Sequence, residues 1–564
     1  SPYNGSMLPT PRTILLLAIL CTLLTACSGP QWVSITPQPL STAAPAAATL
    51  PPPATLPTAA PTATALPPAS FEPAAEIAEV IETEAVDTTT AGYVVLISLD
   101  GCRPDDLERA NIPNLKALIS AGTSYSAAWV GALQNNTPPG HAMMSTGSFP
   151  RRSGIIGHTW ANLQTGETFT PFTLEAVQFG EADLMVESSG LPTLAGLVKA
   201  RYPDEMVAAL SAQKYYAAQA LGFGPADVLL YTSGSGDDSY SLPQAVQFAA
   251  LRGRTPPEDF LNDPDLRATL RSPGDANALA LLAATRLAER FQPRALLINL
   301  PETDYYGHVG GAEEIRVALE RTDAALGGLI AAYRELGLYE RTVWVVAADH
   351  GMTPKGNILV PADLYAQTGA EVIEGDQIML PELRLTDPGR ASQVADALAA
   401  SGAPGLLGAY ARAQQDGRYV YQAAPATTLS LPAELNSAFL YLLDTYASPY
   451  SPDVVVASAG RTAFDESVES TGGTHNPVNW ADQHILLAFS GAGVAPGKVS
   501  TAPARLVDIL PTLARLLDLP LDNMDGIPLA DALAAPLDED VQRQAEVSGT
   551  LGPLRDALAA TAGE

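Results

Sequence analysis

Cysteine is scarce, with three in 564 residues. Cys21 and Cys27 lie in an N-terminal apolar segment, which leaves Cys102 alone in the body of the chain. A single thiol has no intramolecular partner, so a disulfide-stapled fold is excluded. Basic residues are also few: 31 Lys+Arg stand against 61 Asp+Glu, a net charge of −30. That balance argues against a broad electrostatic grip on nucleic acid or anionic headgroups, and no nucleic-acid-binding surface is expected. No internal repeat, Gly-x-Ser-x-Gly elbow or phosphate-binding P-loop is present, which sets aside serine-hydrolase and P-loop chemistry. What is there is 47% hydrophobic, 16% charged and holds 48 prolines, the composition of a mostly globular chain with a non-globular part.

The non-globular part is N-terminal. Met7 reads as the start, with Ser1–Ser6 ahead of it. Arg12 supplies a positive n-region, and Ile14–Leu24 form an apolar stretch too short to span a bilayer and right for a secretory signal. Leu24-Thr25-Ala26-Cys27 resembles a bacterial lipoprotein cleavage box, in which the cysteine is lipidated and becomes the new N-terminus. Residues 1–27 are therefore expected to be a leader and signal peptide. The mature protein is expected outside the cytoplasm, held on the bacterial cell membrane through Cys27 without a transmembrane helix. Residues 28–75 are Pro, Ala, Thr and Ser without a charge before Glu72, and are expected to be a spacer.

The globular part opens at Tyr93–Leu99, a continuous apolar run of strand length. Similar runs recur at Met206–Leu210, Ala295–Leu300, Val343–Ala348 and His484–Phe489. Between them lie amphipathic stretches such as Ala276–Phe291, Glu313–Leu336 and Ala504–Leu517. Apolar strands alternating with helices predict an α/β domain whose sheet is covered on both faces. It is expected over 92–535. The stretch 353–474 interrupts the alternation and reads as an inserted cap, and 536–564 as an acidic tail.

Three of these runs end in potential metal ligands. Asp100 follows the first, Asp304 and His308 follow Leu300, and Asp349-His350-Gly351 follows Ala348. Open α/β sheets place ligand sites at the carboxyl ends of strands, so three distant segments are expected to share one crevice. His475 stands in a further glycine-bearing loop, Gly472-Gly473-Thr474-His475. The chain owns six histidines, and three stand in such loops. Mixed Asp/His sites suit zinc, with manganese or iron as weaker options.

A nucleophile candidate lies in Thr137-Pro138-Pro139-Gly140-His141, followed by Ser145-Thr146-Gly147. With the strand-Asp-Gly opening, the Asp304/His308 pair, Asp349-His350-Gly351-Met352, the late Gly-x-His loop and Asp508-Ile509-Leu510-Pro511-Thr512, this ordered set resembles the alkaline phosphatase superfamily. The resemblance is to its type I phosphodiesterase/nucleotide pyrophosphatase branch and runs from about 92 to 530. It implies an alkaline-phosphatase-like sheet sandwiched by helices and two Zn²⁺, with Mn²⁺ or another divalent transition metal as substitutes. Asp100, Thr137, Asp349 and His350 would surround one ion, and Asp304, His308 and His475 the other. The implied reaction is hydrolysis of phosphate diesters or nucleotide pyrophosphates through a phosphothreonine at Thr137.

Two departures qualify the resemblance. Where the branch has asparagine to bind a phosphate oxygen, this chain reads Gly157-His158-Thr159. His158 is read either as a substrate contact or as a packed loop histidine. Related phosphomonoesterases place a lysine and an arginine near Ser211–Tyr216; here Lys214 is present and the arginine is not. Lys214 is thus either a substrate-binding residue or a surface lysine. Two alternatives stand beside the leading reading: a phosphomonoesterase on the same fold, and an inactive surface binding lipoprotein.

Overall fold

A computed structural model describes residues 31–35, 91–161, 168–233, 245–250, 276–371, 382–465, 472–475 and 478–563. The apolar runs become the centre of a 10-stranded sheet. Its strands are β1 (Gln31–Ile35), β2 (Tyr93–Leu99), β3 (Thr123–Tyr125), β4 (Val207–Ser211), β5 (Val228–Ser233), β6 (Ala245–Ala250), β7 (Ala295–Leu300), β8 (Thr342–Ala347), β9 (Leu487–Gly491) and β10 (Lys498–Ser500). They run in the order β1-β6-β5-β4-β7-β2-β8-β9-β3-β10. The middle five, from β5 to β8, are parallel, so their carboxyl ends lie along one edge. Every residue of β4, β7 and β8 is buried, the mark of a sheet covered on both faces.

Six helices matter below: α1 (Thr137–Thr146), α2 (Tyr215–Leu221), α3 (Ala276–Phe291), α4 (Glu302–Val309), α5 (Ala312–Glu335) and α6 (Asp538–Ala559). The amphipathic stretches expected near 276–291 and 313–336 are α3 and α5, whose apolar stripes join the main core.

Within 353–474 lies a separate four-stranded antiparallel sheet, ordered Glu382–Leu383, Val454–Ser458, Leu406–Gln415 and Arg418–Ala423. Its side chains alternate between two buried faces. Ala409, Ala411, Val454 and Val456 join a local core with Val394 and Leu398, whereas Tyr410, Val455 and Ala457 join a larger cluster with Trp129, Tyr216 and Phe439.

Two segments differ from expectation. The acidic tail is a helix: α6 spans 22 residues, and Leu551 and Leu558 are buried, with Val547 and Leu554 packed beside them. Those four apolar residues recur at helical spacing and make one stripe that the acidic composition hides. Within the expected spacer, Gln31–Ile35 forms the edge strand β1, antiparallel to β6, and its Trp-Val-Ser-Ile content suits a strand. The leader, Cys27 and the remainder of 28–75 lie outside the described residues.

Candidate active site

The parallel strand ends supply the crevice. Asp100 follows β2, and Asp349 and His350 come just after β8. β7 leads into α4, where Asp304 and His308, four residues apart, share one face. A two-residue ladder between Thr353–Pro354 and Gly473–Thr474 brings His475 back to this edge. Gly472 makes the turn possible: its φ is +86°, and a Cβ there would sit 1.9 Å from the His308 carbonyl oxygen.

Thr137 opens α1, all ten residues of which are buried. Pro138 and Pro139 suit the first helical turn and carry no N–H, so the Thr137 amide is the one donor among the first three residues. Gly140 lets α1 approach the loop after β8, since a Cβ there would lie 2.8 Å from the Asp349 carbonyl oxygen.

At the meeting point of these segments stands Lys214, 5% exposed. It follows Gln213, whose φ of +76° is uncommon for a residue other than glycine, and it precedes α2. Its Nζ donates to Asp100 Oδ1 (2.9 Å), Asp304 Oδ2 (2.7 Å) and Thr137 Oγ1 (3.1 Å). Lys214 is a buried centre of the site and not a surface lysine.

The histidines surround the same carboxylates. His308 Nε2 and His475 Nε2 lie 3.3 and 3.5 Å from Asp304 Oδ1. His350 Nε2 lies 3.4 Å from Asp349 Oδ2 and 3.5 Å from Asp100 Oδ1, and its ring stacks on His475 at 3.9 Å. Two groups have ligand-like spacing: Asp304, His350 and His475, and Asp100, His141 and Asp349. These groups are drawn by spacing alone: His350 lies near carboxylates of both, and His141, to which the resemblance assigns no role, stands beside Asp100 and Asp349.

Charge makes a cation welcome here. Three buried carboxylates stand with the Lys214 ammonium and the His350 imidazole, so negative groups outnumber positive ones away from water. Burial, the largest single cause, pushes the Asp100 and Asp304 carboxyls up, but Lys214 together with His350 at Asp100, and with His308 and His475 at Asp304, holds both below the ordinary range. Burial and Asp100 together raise Asp349. Burial opposes a proton on His350, yet Asp349 and its neighbours push its pKa up to about 10. Burial, with His350 alongside, lowers His475. A metal ion would compete with the His350 proton and release it on binding.

The donor set fits such ions. Asp304 Oδ1, Asp349 Oδ2, His350 Nε2 and His475 Nδ1 are buried and lack hydrogen bonds. His350 Nδ1 contacts the Gly351 carbonyl at 2.8 Å and His308 Nδ1 the Gly473 carbonyl at 3.2 Å. Those contacts orient Nδ1 toward a carbonyl and turn Nε2 of each ring toward the carboxylates, the arrangement of a histidine that binds a metal through Nε2.

His158 is half-buried, edge-on to Tyr216 at 4.8 Å, and burial with nearby Lys214 lowers its pKa to about 4. That shift favours the neutral imidazole. Sequence reasoning missed Asn299. Its signal was a lone amide inside the apolar run Ala295–Leu300.

The family model described as type I phosphodiesterase/nucleotide pyrophosphatase matches residues 94–480. Alkaline phosphatase PhoK of Sphingomonas sp. is 26% identical over 528 residues, covering 78% of this chain and 91% of that protein. An uncharacterized pyrophosphatase/phosphodiesterase of Schizosaccharomyces pombe is 22% identical over 263 residues, 46% of this chain and 45% of that protein. Among solved structures, wild-type alkaline phosphatase PafA superposes with a TM-score of 0.62 at 16% identity, covering 79% of this chain and 99% of that one. Inactive murine ectonucleotide pyrophosphatase/phosphodiesterase 5 in complex with AMP superposes with a TM-score of 0.51 at 16% identity, covering 78% and 100%. Both structures share the fold.

Proposed function

The chain belongs to the type I phosphodiesterase/nucleotide pyrophosphatase family and is a metal-dependent phosphoric ester hydrolase, and from that premise we propose that Thr137 is its nucleophile. The observation that carries this is the position of the Thr137 hydroxyl. It lies 3.1 Å from Lys214 Nζ, which itself bridges Asp100 and Asp304, one carboxylate from each ligand-like group. The two groups therefore meet at the Lys214 ammonium, beside this oxygen.

In this reading Asp100, Thr137, Asp349 and His350 would hold one zinc and Asp304, His308 and His475 a second. When bound, the ions supply positive charge for the phosphoryl oxygens and lower the pKa of hydroxyl nucleophiles. The Thr137 oxygen, its proton given up to solvent, forms the bond to phosphorus as the leaving alkoxy or phosphate group departs, and water later cleaves the phosphothreonine, releasing the phosphoryl product and restoring the Thr137 hydroxyl. Lys214 keeps its proton, because Asp100 and Asp304 raise its pKa well above normal despite burial. It serves as a fixed cation for a phosphoryl oxygen and not as a base. The Thr137 amide adds an N–H at the start of α1. An inactive copy of the fold fits this poorly, since the chain keeps Thr137 and the six other proposed ligands.

Thr137→Ala should lower kcat by about 10³-fold or more with both metals retained, by analogy with other nucleophile knockouts. A near-wild-type rate would end the covalent reading. Thr137→Ser should keep part of the activity, because the hydroxyl survives.

Diesters and nucleotide pyrophosphates are the proposed substrates, since Lys214 is the one side-chain cation reaching the Thr137 hydroxyl among the described residues. Its depth in the site favours a second reading, phosphomonoester hydrolysis, which the alkaline phosphatase relatives also support. Comparing kcat/KM on bis(p-nitrophenyl) phosphate and p-nitrophenyl phosphate separates the two. No described helix is long and apolar enough to cross a membrane. The reading includes lipid anchoring through Cys27, and a Cys27→Ser protein that still fractionates with membranes would remove that part.

A further inference from the structure

Behind the crevice runs a buried chain of four side chains, Ser211, Asn299, His141 and Asp100, each no more than 1% exposed. Ser211 Oγ donates to Asn299 Oδ1 at 2.6 Å. Asn299 Nδ2 donates to Asp100 Oδ2 at 2.8 Å and faces His141 Nε2 at 3.0 Å. His141 Nδ1 lies 2.8 Å from the Thr137 carbonyl and 3.4 Å from Asp349 Oδ2. Parallel register assembles the chain, since Asn299 of β7 is the pairing partner of Ser211 on β4 and of Ser98 on β2.

The chemistry of these groups fixes every orientation. An ionised carboxylate only accepts, so Asp100 must face the NH₂ end of Asn299. That same NH₂ meets His141 Nε2, which must therefore accept. The proton then sits on Nδ1, and it points at the Thr137 carbonyl, which can only accept. His350 and His308 share the Nδ1-to-carbonyl contact, but His350 keeps Nε2 without a hydrogen bond. His141 has no lone pair left to give, although it stands with Asp100 and Asp349 at ligand-like spacing.

We infer that His141 is a positioning residue and not a metal ligand. Together with Asn299 it forms a neutral clamp that ties Asp100 to the helix carrying the nucleophile. The amide holds Asp100 Oδ2 and turns Oδ1 into the crevice, where it meets Lys214 at 2.9 Å and His350 at 3.5 Å. The imidazole fixes the first turn of α1, and with it the Thr137 hydroxyl, against the same carboxylate. The functional consequence rests on the two-metal, Thr137-nucleophile reading above.

The test uses full-length zinc-loaded protein and the variants His141→Phe, Asn299→Leu and the double. Both singles should retain two metal ions per chain by elemental analysis. They should lose about 10- to 100-fold in kcat, the range for partners of metal ligands. KM should stay within about 3-fold, because substrate binding is untouched. The double should be close to the worse single, as for two residues acting as one unit. His141→Asn keeps a donor near Nδ1 and should recover part of the loss. An ion lost from His141→Phe, an unchanged kcat in folded variants, or additive losses in the double would each overturn the inference. If His141→Phe does not fold, Asn299→Leu and His141→Asn carry the same kinetic and metal readouts. A wild-type protein inert on every phosphate ester would overturn the reaction instead, and metal counts in the His141 variants would then decide the ligand question alone.

Discussion

At the carboxyl edge of the central sheet, Asp100, Thr137, Asp304, Asp349 and His350 are all buried at 2% exposure or less, and several of their polar atoms lack hydrogen bonds. In the subdomain between 382 and 458 the buried positions are filled by alternating apolar residues, and no ligand-like group is found there among the described residues. Its buried Asp453 is matched within the subdomain: Arg412 binds it at 2.6 Å, and it also accepts from the Leu385 amide. One region gathers several unsatisfied buried polar atoms at one place, a costly arrangement unless a ligand completes it. The other leaves one such atom among its described residues, Asp396 Oδ1. The difference separates residues selected for chemistry from residues that hold shape.

The largest expected effect lies in the crevice. Stripping metal with a strong chelator should abolish turnover, and zinc should restore it, while the far-ultraviolet circular dichroism of the subdomain and core is kept. Turnover that survives complete metal removal would break the comparison at its root. Next comes a cavity placed in the other region. Leu398 is fully buried in the local core formed only by residues 359–464. Leu398→Ala should destabilise the protein by about 2–5 kcal/mol, read by chemical denaturation, with kcat of the folded fraction nearly unchanged. A kcat loss as large as that of a crevice variant would show that the subdomain sets the site geometry.

A smaller effect concerns pH. His158 is held at about 4 against an ordinary 6.5, so the unfolded chain binds more protons than the folded one between those values. Its neutral ring therefore contributes stability that is complete above about pH 6.5 and lost as pH falls toward 4. His158→Asn should flatten the stability loss over that window and leave the kcat profile above pH 6.5 unchanged in shape. A missing ionisation near neutrality in His158→Asn would mean that the histidine carries a proton in catalysis.

Much of the site is legible in the amino-acid sequence. A continuous apolar run followed at once by Asp100, or by Asp349-His350, can be read because strand length, burial and ligand type are local properties. The acidic helix α6 is not legible, since its four apolar residues are thinly spread among charges and only their packing partners reveal the stripe. Lys214 is ambiguous for another reason. Its direction depends on the left-handed turn at Gln213 and on two carboxylates more than 80 residues away in the chain.

The ordered motifs by themselves determined the fold class, the family and the identity of the nucleophile and ligand candidates, because each motif joins a local conformation to a residue type with few other uses. Which nitrogen of which histidine keeps a free lone pair was decided only by tertiary structure. His141 and His350 both place Nδ1 on a backbone carbonyl, and at Nε2 only His141 meets Asn299, which strand register brings across from another segment. A hydrogen bond between residues 158 positions apart leaves no pattern in either local sequence. Its donor and acceptor meet only when the sheet has formed.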